Sequence, residues 1–192
     1  MNSNDIVLLK CGEVSYKIYL PNRNIDYIQK KIYNELIPYE YEMLQDFLKK
    51  AKKNTIIVDI GANIGNHSLY LAAHGFDVCA FEANQTLCDI FKISIKLNGF
   101  KNLKLYEFGL SDKKEMAVLD NLNPENLGGQ SLKIEDFGNI FLHPLDDIKF
   151  EKDISIIKID VEGMETKVLN GAINTIKKYR PLLYIEEFSS LF

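Results

Sequence analysis

The sequence predicts an α/β domain of the Rossmann-like type, with a mostly parallel sheet and helices on both faces. From residue 55 onward, short β-branched segments alternate with amphipathic helical segments, which is the pattern of repeated β-α-β units. Glycines fall in the turn after the first of these strands, where such sheets bind ligands. We expect one compact unit of 192 residues, with an N-terminal hairpin and helix at 1–38 and the main domain at 39–192.

Composition and charge are those of an ordinary globular protein. Hydrophobic residues make up 46% of the chain, charged residues 26%, and the net charge is −4. Proteins that bind nucleic acid by bulk electrostatics carry a basic face, so we expect no nucleic-acid partner. Neither a signal peptide nor an apolar run of 18 residues is visible, so we expect no membrane span and assign the chain by default to the cytoplasm. His74 and His143 lack metal-ligand spacing to one another, and we predict no metal site.

The first fifty residues predict a hairpin followed by two helices. Apolar and polar residues alternate up to Leu20, and Cys11-Gly12-Glu13 has turn composition, so residues 6–20 are expected to form a β-hairpin. Residues 25–34 and 39–52 are predicted to be helices, and the second carries a core-facing apolar stripe.

Five strands are predicted in the alternating region, each short and rich in β-branched residues, at 55–60, 77–82, 103–110, 154–160 and 182–187. Helices are expected between them, from the glycine turn to about residue 73, at 85–97 and at 165–178. Asn84 is placed to cap the second of these, and Gly99 to end it.

The segment 113–153 interrupts the alternation. Its composition is dense in Asn, Gly and Pro, which is typical of turns, although 116–120 and 140–147 have strand-like composition. Long loops in compact domains are often lids or substrate loops, so we expect acceptor contacts from this segment.

The turn VDIGANIGN, residues 58–66, is the first candidate binding element. Gly61 and Gly65 allow a tight turn and close approach to a ligand, and Asn63 tolerates the left-handed backbone region. The helix behind the turn offers free N–H groups. We therefore assign cofactor binding to Asp59, Gly61, Ala62, Asn63, Gly65 and Asn66.

Glu82 ends the second strand of the alternating region, 23 residues after Asp59. An acidic side chain at about this spacing accepts hydrogen bonds from ribose hydroxyls, so Glu82, with Ala83 beside it, is a second candidate cofactor contact. The nicotinamide fingerprint needs a glycine where Asn63 stands, which favours S-adenosylmethionine as the cofactor. An NAD-dependent oxidoreductase remains an alternative.

Carboxylates and a hydroxyl follow the later strands. Ser111 and Asp112, after the third strand, are candidate contacts to an adenine ring. Asp160 and Glu162, after the fourth, are two apart on an extended segment and so point the same way. Such a pair could hold a metal, act as a base or orient a hydroxyl, while a helix cap is the plain structural alternative. Glu186 and Glu187, after the fifth strand, could face the same crevice.

Together these motifs resemble the FkbM-type methyltransferases, a branch of the Rossmann-like class I methyltransferases. The resemblance spans about residues 39–188 and rests on VDIGANIGNHSLYLA, AFEAN, GLSD, NLGGQSL, LDDI, IKIDVEGMETKVLNGA and RPLLYIEE. It implies S-adenosylmethionine-dependent O-methylation of a hydroxyl on a sugar, glycan or small natural product. The implied cofactor contacts are Asp59, Gly61, Asn63 and Gly65 for the amino-acid portion, Glu82 for the ribose, and Ser111-Asp112 for the adenine. Asp160 and Glu162 are implied as the catalytic residues near the transferred methyl group.

One departure from the family pattern lies at the end of the chain. Members usually continue with two further strands, whereas this sequence stops at Phe192, so we expect a sheet without those strands. A cofactor-binding protein with lost or incomplete activity is therefore a further alternative. A nucleic-acid methyltransferase is disfavoured, because IDVEG stands where a prolyl-prolyl-aromatic motif is expected.

Overall fold

The computed structural model describes residues 2–120, 123 and 125–186. Two short 3-10 turns, Ser3–Asp5 and Leu145–Asp147, accompany the regular elements. The helices are α1 (Tyr27–Glu35), α2 (Tyr41–Lys50), α3 (Asn66–Ala73), α4 (Gln85–Asn98), α5 (Glu165–Asn170) and α6 (Ile173–Tyr179). The strands are β1 (Ile6–Cys11), β2 (Val14–Tyr19), β3 (Ile56–Ile60), β4 (Asp77–Phe81), β5 (Leu103–Tyr106), β6 (Gly109–Leu110), β7 (Glu115–Asp120), β8 (Ser131–Ile134), β9 (Ile140–His143), β10 (Ile154–Ile159) and β11 (Leu182–Ile185).

The central sheet has the order β11-β10-β3-β4-β5, and each neighbouring pair is parallel. Val58 lies in register with Ile157 on one side and Cys79 on the other. The chain passes from β3 to β4 in one direction and returns to β10 on the other side of β3, so strand order reverses there. This confirms the predicted Rossmann-like α/β class and places the ligand crevice at the carboxyl ends of these strands.

Alternate residues of the sheet feed two separate cores. Ile57 and Ile156 point into a cluster that includes helices α2, α3 and α4. Val58 and Ile157 point to the opposite face, where the second sheet and the segment containing α5 pack. Because both faces are covered, the parallel strands are apolar at nearly every position, as the sequence predicted.

The predicted N-terminal hairpin is confirmed and packs against α4. Lys17 on β2 donates its backbone N–H to the Asn98 side-chain oxygen at 2.7 Å, and the Asn98 amide donates back to the Lys17 carbonyl at 2.7 Å. Ser94 Oγ accepts from the Tyr19 N–H at 3.0 Å. The side chains of α4 thereby satisfy a strand edge, and hairpin residues join the same buried cluster as Phe91. The division between residues 38 and 39 stays a prediction.

Two predicted elements are broken in the structure. The strand expected at 103–110 is two strands, because β5 belongs to the central sheet and β6 pairs with β9 in a second sheet of order β6-β9-β7-β8. The helix expected at 165–178 is interrupted between α5 and α6, where Gly171 packs so closely on the Ser111 carbonyl that a Cβ would lie 2.0 Å from its oxygen. Strand β8 was not predicted.

Strand β11 forms one edge of the central sheet. Strand β11 is described as far as Ile185, and Glu187 lies outside the described residues. In the part of the chain that the structure describes, every helix is too short or too polar to cross a bilayer.

Candidate active site

A cavity of about 240 Å³ lies at the carboxyl ends of the central strands. Three parts of the chain line it: the turns that follow these strands, the N-terminal segment around α1, and the loop 126–130. Its lining includes Tyr27, Ile28, Tyr39, Gly61, Asn63, Glu82, Ala83, Asn84, Gly109, Leu110, Leu127, Gly128, Gln130, Asp160, Glu162 and Glu186.

The glycine turn after β3 requires its glycines for two reasons. Gly61 has φ +75°, and a Cβ there would lie 1.7 Å from the Asp160 carbonyl oxygen. Gly65 has φ +84°, and a Cβ would meet the Phe91 ring at 2.0 Å. Asn63 adopts φ +53°, the left-handed conformation expected of it. The sequence predicted that these glycines allow close approach of a ligand. In the structure, the groups that approach them closely are the Asp160 backbone and the Phe91 ring.

Glu82 joins the turns that follow β3 and β4. Its carboxylate accepts the Asn63 N–H at 2.7 Å and the Asn84 N–H at 2.8 Å. Burial raises the pKa of Glu82, and these backbone hydrogen bonds offset part of that effect. A carboxylate has further acceptor sites beyond these two, so Glu82 can also receive hydrogen bonds from a ligand in the cavity.

Beneath the turn, a buried lysine joins two aspartates. Lys158 Nζ lies 3.4 Å from Asp59 Oδ1 and 3.0 Å from Asp160 Oδ2, and its side chain is only 5% exposed. Asp59 Oδ2 accepts the Ser68 hydroxyl at 2.6 Å. Burial opposes the charge on Lys158, but the two carboxylates outweigh it and raise its pKa. Lys158 was not among the predicted site residues, although a single lysine inside the apolar strand ISIIKI signals a buried charge partner.

Asp160, Glu162 and Glu186 bring three carboxylates to one side of the cavity. Burial raises the pKa of Asp160, but the Lys158 ammonium and the hydrogen bond with Glu186 together bring it below its ordinary value. Glu162 lies in a turn at φ +46°, and burial, followed by the charges of Asp160 and Glu165, raises its pKa. A hydrogen bond with Asp160 and then burial raise the pKa of Glu186 to about 7.

The other predicted cofactor residues lie behind the cavity wall. Ser111 is buried and donates its hydroxyl to Glu115 at 2.5 Å, and Asp112 faces Lys167 at 3.8 Å. Asn66 holds Tyr39 through two hydrogen bonds of 2.9 Å to its backbone N–H and C=O. Gly61, Asn63, Glu82 and Ala83 line the cavity, whereas Asp59, Ala62, Gly65, Asn66, Ser111 and Asp112 are outside its lining.

The loop 126–130 covers the cavity and is tied to the N-terminal segment. Asp26 caps α1 by accepting the Gln29 N–H at 3.0 Å, and its second oxygen accepts the Leu127 N–H at 3.0 Å. On the far side of the loop, the Asn84 amide donates to Gln130 Oε1 at 2.9 Å. The contact between Asp26 and the loop could not be predicted from the sequence, because its partner Leu127 is 101 residues away.

The described charged side chains that line the cavity are all acidic. The charged side chains among its described lining residues are Glu82, Asp160, Glu162 and Glu186. Across residues 2–120, 123 and 125–186, no three His, Cys, Asp or Glu side chains are grouped so as to hold a metal ion. The arrangement can therefore attract a cation and accept hydrogen bonds or a proton from a polar ligand.

Comparisons with solved structures find methyltransferases of low similarity. The tRNA (uracil-54, C5)-methyltransferase of Pyrococcus abyssi, in complex with S-adenosyl-L-homocysteine, aligns with TM-score 0.46 and 13% identity over 92% of this chain and 32% of its own. The precorrin-6y C5,15-methyltransferase of Geobacter metallireducens GS-15 has TM-score 0.46 and 16% identity over 78% of this chain and 64% of its own. An rRNA methylase of Streptococcus thermophilus has TM-score 0.45 and 18% identity over 78% and 71%. The chain thus spans about a third of the first and less than two thirds of the second.

Sequence comparison places the chain in a family. No curated protein sequence matches it. The family model described as methyltransferase FkbM domain matches residues 59–191, which include the glycine turn, Glu82, the Asp160 turn and strand β11. The protein therefore belongs to the FkbM methyltransferase family.

Proposed function

We propose that the protein transfers the methyl group of S-adenosylmethionine to a hydroxyl of a sugar, glycan or small natural product. Family membership supports methyl transfer. The observation that carries the acceptor class is the charge of the cavity, whose described charged lining groups are all carboxylates. Such a cavity favours the cationic donor and a neutral, hydroxyl-bearing acceptor, and it disfavours phosphates.

The donor is proposed to lie along the turns after β3, β4 and β6. Gly61 and Asn63 would contact its amino-acid portion, and Glu82 its ribose hydroxyls. The adenine would lie by Gly109 and Leu110, which line the cavity immediately before Ser111 and Asp112. In this arrangement Ser111, bonded to Glu115, would support the adenine wall from behind.

The remaining wall of the cavity suits a sugar ring. Tyr27 and Tyr39 both line it and pack edge to face, with ring centroids 6.3 Å apart. An aromatic ring can cover the apolar face of a sugar, while carboxylates accept hydrogen bonds from its hydroxyls. Asp160 and Glu162 are proposed to lie near the reacting hydroxyl, on the side of the cavity that Tyr39 also lines.

Methyl transfer requires mainly that the acceptor oxygen and the methyl group of the donor are aligned. S-adenosylmethionine supplies a methyl group already activated by its positive sulfur. The protein has to hold the acceptor oxygen in line with that methyl group and take up the hydroxyl proton. The loop 126–130 and the four carboxylate acceptors of the lining suit these two needs.

The alternative cofactor, NAD, fits the cavity less well. Its pyrophosphate is anionic, and the described lining offers carboxylates and no basic side chain to receive it. The same argument disfavours a nucleic-acid acceptor, whose phosphates would face the same carboxylates.

Calorimetry with S-adenosylmethionine and NAD in parallel tests the donor. We expect only S-adenosylmethionine to bind, and Glu82→Gln to weaken it by roughly 10- to 100-fold, because a hydrogen bond to a charged group contributes about 1.5–3 kcal/mol. Glu107→Gln is the matched control, since Glu107 pairs with Lys92 on the surface outside the cavity. Binding of NAD alone, or equal losses in both variants, would contradict this assignment.

A panel of neutral methyl glycosides and their phosphorylated counterparts tests the acceptor. We expect release of S-adenosylhomocysteine, and a mass gain of one methylene, with neutral glycosides only. Methylation restricted to phosphorylated sugars or RNA would refute the proposed acceptor class while leaving the donor assignment intact.

A further inference from the structure

The carboxylates of Asp160 and Glu186 follow neighbouring strands at the same level. Ile159 and Ile185 are paired in register, and the Glu186 N–H donates to the Ile159 carbonyl at 2.9 Å. The next residue on each strand is therefore a carboxylate, and both line the cavity. Two carboxylates this close share a proton more readily than they carry two charges.

Lys158 makes the pKa values of Asp160 and Glu186 differ. Its ammonium lies 3.0 Å from Asp160 Oδ2 and is fixed on its other side by Asp59 at 3.4 Å. Burial raises the pKa of Asp160, but Lys158 and the hydrogen bond with Glu186 together lower it below its ordinary value, so Asp160 keeps the negative charge. Glu186 is left as the member that binds the shared proton, and its pKa is raised to about 7 by the hydrogen bond to Asp160 and then by burial.

Other charged groups around Glu186 act in the same balance. Glu40, before α2, adds a further negative charge that raises the pKa of Glu186, whereas Lys158 opposes it. His67, on α3, lies 3.0 Å from Glu40 and reduces that effect when it is protonated. Burial, Glu40 and Tyr27 raise the pKa of Tyr39, and the charges of Glu186 and Asp160 add to the same effect. Glu186 and Tyr39 thus influence one another, and both line the cavity at the proposed acceptor wall.

We propose that Glu186 is the proton acceptor of the methyl transfer and that Asp160 is its positioning partner, an inference that rests on the proposed function. As the acceptor oxygen bonds to the methyl carbon, its O–H proton passes to the Glu186 carboxylate. The bond from sulfur to methyl breaks, and its electron pair stays on sulfur, which becomes neutral. Glu186 is exposed, so the proton can leave to solvent.

The structure favours Glu186 over its neighbours for this role. An Asp160 carboxylate held by a lysine is a weak base, and a base acts best when its pKa lies near the working pH. Glu162 lies in a left-handed turn beyond the end of β10.

The activity test compares Glu186→Gln with Asp160→Asn, using a neutral methyl glycoside. We expect Glu186→Gln to lower kcat by roughly 10²- to 10⁴-fold while S-adenosylmethionine affinity falls far less. In the wild type, kcat/KM should rise with pH through about 7, where Glu186 deprotonates. In Asp160→Asn this limb should move to lower pH, because the neighbouring charge is gone. Glu151→Gln, an exposed change before β10, is the matched control and should match the wild type.

A second measurement needs no acceptor. Carboxyl-carbon NMR of the whole protein should show one glutamate titrating near pH 7 that disappears in Glu186→Gln and moves to lower pH in Asp160→Asn. Titration of Glu186 in the ordinary carboxyl range, or wild-type turnover with an unchanged pH limb in Glu186→Gln, would overturn the inference. Failure of the proposed function would instead show as a wild type that binds no S-adenosylmethionine or methylates no neutral glycoside.

Discussion

Replacing Lys158 by methionine should destabilise the protein strongly. Methionine keeps most of the length of the side chain and removes the ammonium group between Asp59 and Asp160. Asp59 is 1% exposed, and among the described residues its Oδ1 has no hydrogen-bond partner, only the ion pair with Lys158. The substitution therefore leaves a buried carboxylate without a compensating charge, directly beneath the glycine turn.

The size of the effect follows from burial. Removing one partner of a buried ion pair costs about 3–5 kcal/mol, because the remaining charge stays desolvated. For a chain of 192 residues, each kcal/mol lowers Tm by roughly 2–4 °C. We expect Tm to fall by roughly 6–20 °C, which combines these two ranges.

Urea unfolding of the wild type and three variants measures this. The control is Lys152→Met, which removes a cation from Asp77 where both side chains are about half-exposed, so it should cost less than about 1 kcal/mol. The double variant Asp59→Asn, Lys158→Met removes the stranded charge as well and should recover part of the loss. If the free energy of unfolding of Lys158→Met lies within about 1 kcal/mol of the wild-type value, Lys158 does not neutralise a buried charge.

Two further changes test the turn and the loop. Gly61→Ala should cost clearly more than Gly75→Ala in denaturant unfolding, since both have positive φ but only Gly61 would place a Cβ against the Asp160 carbonyl oxygen. Equal losses would show that backbone conformation alone requires glycine there. Asp26→Ala should cost about 0.5–2 kcal/mol through the lost cap of α1, and should speed amide exchange at Leu127, its second partner. Unchanged exchange at Leu127 would show that Asp26 does not hold the loop.

Features set by short stretches of sequence could be predicted. The glycine turn places Asn63 at positive φ, and Asn84 caps α4 by accepting the Thr86 N–H at 2.9 Å. Gly99 ends that helix in the left-handed conformation. Each depends on a residue type at a fixed offset from a periodic segment, so local pattern was sufficient.

Features set by contacts between distant segments could not be predicted. Gly171, in the break between α5 and α6, packs on the backbone of Ser111, and Leu127 in the cavity loop donates a hydrogen bond to Asp26. Lys158 was visible as a lysine in an apolar strand, but its partners follow from which strands become neighbours in the sheet. The predicted roles of Asp59 and Ser111 in cofactor binding stay predictions, and both side chains face protein groups.

The four carboxylates of the cavity are tolerated because each is compensated differently. Glu82 accepts two backbone N–H groups, Asp160 has the Lys158 ammonium, and Glu186 reduces its charge by sharing a proton with Asp160. Glu162 is half-buried and remains in contact with solvent. A cationic donor entering this cavity adds positive charge where the carboxylates are least compensated, and it favours the ionised form of Glu186. Donor binding would therefore prepare the same carboxylate that is proposed to accept the hydroxyl proton, which links the charge of the cavity to the order of the reaction.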